Sequence, residues 1–182
     1  MKFWTITILI IIGYTIVPKK LFGDNVKLQI PKRAEVTMNM DDFQKAKKLC
    51  KKGDAWKCYK VGFCYEKGKN VKQNYLKALI FYDKSCENNI AEGCHALGEM
   101  YLDGKGVKQN FSKALTFFGK TCNIVPKTEI VYGGCYVVGE IYKGAFYTLK
   151  SLEAYKQAIK FYQKACDGNF TDGCKKLKEM EN

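Results

Sequence analysis

At 182 residues the chain is long enough for one well-buried domain or a short repeat array. Its 12 Tyr and 11 Phe support burial and argue against a disordered chain. The formal net charge of +13 favours acidic partners or anionic surfaces, yet lysines recur in every predicted helix. The charge therefore reads as a solvated cationic face, and no recognition motif for nucleic acid accompanies it.

The first element is an apolar run, Thr5 to Val17, between Met1-Lys2-Phe3-Trp4 and Pro18-Lys19-Lys20. It is shorter than the roughly 20 residues of a membrane span and suits a signal-peptide core, so no stable membrane insertion is expected. Residues 1–23 are assigned as the signal peptide, with cleavage near Leu21-Phe22-Gly23. The site has no A-x-A pattern, and an uncleaved anchor is the alternative. Losing this segment lowers the net charge to +10. Residues 24–40 contain Pro31 and show no sustained period, and are read as a linker or flexible arm.

From residue 41 the chain repeats, as a half repeat (41–53), repeats at 54–89, 90–125 and 126–169, and a capping helix at 170–182. Cys50 to Cys86 and Cys86 to Cys122 are each 36 residues, a period that indicates a solenoid or array. After Cys58, Cys94 and Cys135 come an apolar residue at +3, Gly at +4 and Tyr at +7. These are Val61, Gly62, Tyr65; Leu97, Gly98, Tyr101; and Val138, Gly139, Tyr142. Such spacings share one helix face, and the glycine lets a neighbouring helix approach. Gly68 and Gly104 fit helix C-caps, and Asn74 and Asn110 fit the N-caps of the second helices. Those helices carry Tyr75, Ala78, Leu79, Tyr82; Phe111, Ala114, Leu115, Phe118; and Tyr155, Ala158, Ile159, Tyr162. Each unit is thus a helix–turn–helix hairpin. In the last helix Lys178 replaces the packing glycine, as suits a polar outer cap.

Cysteines at 50 and 58, 86 and 94, 122 and 135, and 166 and 174 lie near the end of one helix and the start of the next. A bridge in each pair would clamp consecutive hairpins, contributing about 2.5 kcal/mol for an eight-residue separation. Structural zinc favours closer thiols, often with histidine, and no C-x-x-C occurs, so neither a metal site nor a redox motif is expected. Cys64 aligns with Met100 and Ile141 and is expected in the core. His95 aligns with Tyr59 and Tyr136 and is read as a surface or groove residue.

The Cys-x-x-apolar-Gly-x-x-Tyr pattern, the G-K-x-V-K-Q-N turn, the K-A-L that follows and the closing cysteine resemble Sel1-like repeats over residues 41–182. The seven-residue gap between paired cysteines is similar to that of the secreted Helicobacter cysteine-rich proteins. The resemblance implies an all-α, right-handed superhelix (solenoid) of TPR-like α/α hairpins, one disulfide per repeat, and secretion or periplasmic residence. It also implies penicillin binding with weak β-lactamase activity, and interaction with host cells. Lys60, Ala96 and Val137 depart from it, standing where the family commonly has Asn.

Two functions follow. The first is a binding module whose concave groove takes a peptide, a protein (a host-cell protein included) or a peptidoglycan-derived fragment, without a cofactor. Positions +1, +5 and +8 after the cysteine are its candidate lining: Tyr59, Phe63, Glu66; His95, Glu99, Leu102; and Tyr136, Glu140, Lys143. The alternative for these side chains is that they cover adjacent helices. The second function is the hydrolase implied by the resemblance. Ser85, Ser112 and Ser151 are followed at +3 by Asn88, Leu115 and Ala154, so no S-x-x-K is present, and neither is S-D-N or K-T-G. A zinc lactamase needs several histidines, and the chain has one. The sequons Asn110-Phe111-Ser112 and Asn169-Phe170-Thr171 matter only in a glycosylating host.

Overall fold

Arg33 and residues 35–182 are described in the computed structural model of the protein. The segment assigned as a signal peptide and most of the linker lie outside the described residues. The chain forms α1 (Met40–Lys51), α2 (Ala55–Lys67), α3 (Tyr75–Glu87), α4 (Ala91–Asp103), α5 (Phe111–Asn123), α6 (Glu129–Leu149), α7 (Leu152–Asp167) and α8 (Thr171–Glu181). There is no strand among the described residues. Consecutive helices pack on one another and α4 also reaches α6, as in a solenoid built from α2–α3, α4–α5 and α6–α7 hairpins.

The turns use the expected chemistry. Gly68 and Gly104 adopt left-handed conformations at φ 70° and 71°, where a side chain would be strained. The side-chain oxygens of Asn74 and Asn110 accept the amides of Lys77 and Lys113. Asp54 and Ser151 cap α2 and α7 in the same way. The third unit departs from the pattern, because α6 continues through residues 143–149 to a length of 21 residues.

Inside each hairpin the glycine at +4 faces an aromatic ring. A Cβ on Gly62 or Gly139 would lie 2.7 Å from the ring of Tyr82 or Tyr162, and one on Gly98 would lie 2.9 Å from that of Phe118. Beside this contact, Tyr65 stacks on Phe81, Tyr101 on Phe117 and Tyr142 on Phe161, at centroid distances of 5.6, 5.5 and 5.8 Å. A second row of glycines precedes the second cysteine of three pairs. A Cβ on Gly93, Gly134 or Gly173 would meet Ser85, Thr121 or Ala165 at 2.6 to 2.8 Å. These small residues bring the end of one hairpin close to the start of the next.

The four expected disulfides, Cys50–Cys58, Cys86–Cys94, Cys122–Cys135 and Cys166–Cys174, lie across these joints with Cα separations of 4.5 to 4.7 Å. Cys64 is a buried thiol, and burial raises its pKa, which suits a core residue rather than a nucleophile. Lys178 is exposed on the outer helix.

Two measurements check this packing. Gly98→Ala is expected to cost about 1–3 kcal/mol of unfolding free energy through overpacking against Phe118. Gly119→Ala, where a Cβ meets nothing within 4 Å, should stabilise the protein by somewhat under about 1 kcal/mol. Alkylation followed by intact mass analysis should label no thiol in the native oxidised protein and Cys64 alone after denaturation without reductant.

Candidate functional site

The described part of the segment before α1 does not stand free. The side chain of Arg33 is 4% exposed and reaches across the face formed by α2 and α4. Val36 is buried, Met38 packs against the core, and the Asn70 side chain donates to the Met38 carbonyl at 2.7 Å. Lys69 pairs with Glu35. Arg33 and residues 35–39 are thereby docked on the first helices by main-chain and side-chain contacts.

At its end lies a charged cradle. Arg33 Nη2 is 2.7 Å from Glu66 Oε2 and 2.7 Å from Glu99 Oε2, and Nε donates to the same Glu99 oxygen at 2.8 Å. Arg33 Nη1 donates to the Tyr82 hydroxyl at 3.0 Å, and that hydroxyl donates to Glu66 Oε2 at 2.5 Å. The guanidinium carbon also lies 5.4 Å from the centre of the Tyr82 ring, within cation–π range. Lys67 holds the other Glu66 oxygen at 2.7 Å.

The titration behaviour follows from this arrangement. Burial opposes the charge on Arg33, but Glu99, Tyr82 and Glu66 more than offset it and raise its pKa. Burial would raise Glu66, yet Arg33 and hydrogen bonds from Lys67 and Tyr82 pull its pKa down to about 2. Glu99 moves upward, because burial outweighs the attraction of Arg33. The Glu66 carboxylate is thus the firm anchor of the pair.

The cradle opens into a cleft of about 470 Å³ lined by Phe63, Lys67, Lys69, Asp103 and Lys105 in addition to the two glutamates. Among the nine candidate lining residues, Phe63, Glu66 and Glu99 therefore share one cleft. Tyr59 is 1% exposed and packs on Tyr82 and Trp56. Leu102 and Tyr136 belong to the second hydrophobic cluster, Tyr136 between Tyr162 and Phe170. Glu140 accepts the Tyr162 hydroxyl at 2.5 Å and pairs with Lys143 at 3.2 Å.

The surface or groove placement of His95 is corrected by the structure. Its side chain is fully buried, edge-on to the Phe118 ring at 5.0 Å. The first helix of a hairpin is covered by its own partner and by the hairpins on both sides, so positions off the +3/+4/+7 face are also enclosed. Ser85 is likewise fully buried, beside Gly93, and Ser151 serves as a helix cap.

Arg33 is the residue that periodicity missed, because it lies in a stretch with no repeat. One signal was available: it is the only arginine in a sequence with 31 basic residues, all the others being lysines. The Gly93, Gly134 and Gly173 row was similarly legible as a glycine directly ahead of a cysteine.

His95 makes a pH prediction. Burial, helped by Arg33, lowers its pKa to about 3, while the unfolded chain titrates near 6.5. The unfolded state therefore binds the proton first, so this contribution is intact above about pH 6.5 and is lost as pH falls toward 3. About 2 kcal/mol should disappear between pH 7.5 and 5, measured as denaturant midpoints. His95→Phe should flatten that slope; Glu99, whose pKa burial raises, acts in the opposite sense.

Comparison with known proteins agrees with this geometry. The sequence matches the Sel1 repeat family at residues 58–90, 91–123 and 134–170, more than half of the chain. No curated protein matches it. One similar solved structure is c5321, described as a protective antigen present in uropathogenic Escherichia coli strains and displaying an SLR fold. It has a TM-score of 0.66 and 22% identity, covering 78% of this chain and 28% of that one. A Sel1 repeat protein from Oxalobacter formigenes gives 0.63 and 20%, covering 77% and 53%. The chain thus spans about a quarter and about half of these two proteins, and the likeness extends to the fold.

Proposed function

The chain belongs to the Sel1 repeat family, and we propose that it is a disulfide-stapled binding scaffold whose cleft on α2 and α4 takes an extended polypeptide segment. The observation that carries this reading is the mode of attachment of Arg33 and residues 35–39. They dock through a buried cation, a buried apolar side chain at Val36 and a hydrogen bond from Asn70 to main chain. Those are the contacts by which a groove holds an extended peptide. Phe63, 4% exposed in the wall of the cleft, lies beside Lys67, Lys69, Asp103 and Lys105, a mixed lining of the kind such recognition uses.

Within the Sel1 family we place the chain beside the Helicobacter cysteine-rich proteins, on the strength of its paired cysteines seven residues apart. Four disulfides favour an oxidising, extracytoplasmic setting. The apolar run at residues 5–17 supports export by a signal peptide. No helix among the described residues is long and apolar enough to cross a membrane.

The test is a peptide array screened with the full oxidised protein, with hits mapped by backbone NMR shifts. Shifts centred on Phe63, Lys67, Asp103 and Lys105 are expected, and Asp103→Ala, at a cleft side chain 43% exposed, should weaken binding about fivefold or more. Hits that perturb only the outer face of α3, around exposed Leu76 and Ile80, would put the binding surface elsewhere.

A further inference from the structure

The cleft proposed above contains a more specific feature, and the following inference rests on that reading. We propose that Glu66, Tyr82 and Glu99 form a recognition subsite for an arginine side chain presented by a polypeptide partner. Arg33 fills this subsite in cis as a tethered competitor.

The fit is to a guanidinium rather than to any cation. Three separate nitrogens are used: Nε toward Glu99, Nη2 toward both Glu66 and Glu99, and Nη1 toward the Tyr82 hydroxyl. The Tyr82 ring contributes a further contact, at 5.4 Å. An ammonium at the Nη2 position would keep the two carboxylate contacts but would lose the separate Nε and Nη1 hydrogen bonds, which the arginine fork makes at the same time. The composition agrees with this. Lysine holds every other basic position of the chain, and the single arginine is the residue placed here.

The third unit offers an internal contrast. Glu140, at the +5 position where the first unit has Phe63, accepts the Tyr162 hydroxyl at 2.5 Å, the same bond that Glu66 makes with Tyr82 from the +8 position. There the local Lys143, one turn along the same helix, pairs with the carboxylate at 3.2 Å. In the middle unit Phe118 replaces the tyrosine, and no hydroxyl is offered. The subsite between α2 and α4 is the one whose guanidinium comes from outside the repeat helices. It is delivered by a segment of only a few residues joined directly to α1.

Next to the guanidinium, the buried His95 adds a second sign of a polar binding position. Its Nε2 lies 3.8 Å from Glu99, and neither ring nitrogen has a hydrogen-bond partner among the described residues. An incoming peptide can supply main-chain groups to these nitrogens.

Tethering sets the conditions of the test, because a short linker gives an effective concentration on the order of millimolar. The probe is a fluorescent decapeptide with the sequence of residues 30–39, Ile-Pro-Lys-Arg-Ala-Glu-Val-Thr-Met-Asn, alongside a version with lysine in place of its arginine. Full-length, oxidised Arg33→Gln protein should bind the arginine peptide at least tenfold more tightly than the lysine peptide. It should also bind that peptide at least tenfold more tightly than wild type does. Adding Glu66→Gln or Glu99→Gln to Arg33→Gln should weaken binding at least tenfold.

Equal affinity for the two peptides, with NMR shifts still in the cleft, overturns the arginine subsite and leaves the groove reading standing. Absence of binding to a folded Arg33→Gln protein overturns the subsite as well, and a peptide array without hits would then sink both readings. Should Arg33→Gln fail to fold, wild type provides the same decision. Its single arginine gives one side-chain Nε–H resonance, which the arginine peptide in millimolar excess should move to a solvent-exposed position. A resonance that stays fixed while the peptide saturates other sites overturns the proposal.

Discussion

The contact on which the architecture depends is an aromatic ring laid directly on a glycine. Gly62, Gly98 and Gly139 receive Tyr82, Phe118 and Tyr162 so closely that even a methyl group has no room. Glycine in a helix interior costs about 0.5–1 kcal/mol of propensity. That loss is offset by burial of a large ring, at about 25 cal/mol for each square ångström of apolar surface removed from water. Because the contact recurs at the same register in each hairpin, it sets one interhelical spacing for the array. The stacked pairs Tyr65–Phe81, Tyr101–Phe117 and Tyr142–Phe161, all within 10° of parallel, follow from that spacing.

Between hairpins a different rule applies. Gly93, Gly134 and Gly173 meet Ser85, Thr121 and Ala165, so small residues face small residues and backbones come together. The disulfides lie across the same joints, which is why cysteines 8 or 13 residues apart still have Cα atoms at similar distances. Loop closure there restricts the unfolded chain, while the close packing holds the hairpin angle in the folded one. Ring-on-glycine contacts and stapled joints together leave a defined face on α2 and α4. Phe63, Glu66 and Glu99 stand at one cleft because these two hairpins are held in fixed relation.

Much of this was legible in the chain. The 36-residue period, the +3/+4/+7 face, the cap residues and the cysteine pairing are all local signals repeated several times, and repetition separates them from chance. The candidate site was legible only in part. Phe63, Glu66 and Glu99 came from helical spacing and line the cleft, but so did Tyr59, Leu102 and Tyr136, which the structure packs in the core away from it. Spacing along one helix cannot say how many neighbours cover it, and in a solenoid an inner helix is covered from three sides. Arg33 escaped for another reason. Its contacts to Glu66 and Glu99 span 33 and 66 residues, and no local pattern encodes a pairing between a non-repeating arm and two different repeats.

The cleft also bears on how charge is used. With a net charge of +13, the protein's long-range field attracts acidic partners, and salt screens that attraction beyond about 8 Å at physiological ionic strength. The Glu66–Glu99 cradle has the opposite sign and is almost closed to solvent, with side chains 4% and 18% exposed. Lys67 pairs with only one oxygen of Glu66, and two buried carboxylates that lose Arg33 are left short of positive charge, which is costly. Exchange of Arg33 for a partner's arginine keeps that charge balance unchanged. The selectivity of the site then rests on the contacts flanking the arginine, along Phe63, Lys69 and Asn70, rather than on electrostatic attraction at a distance.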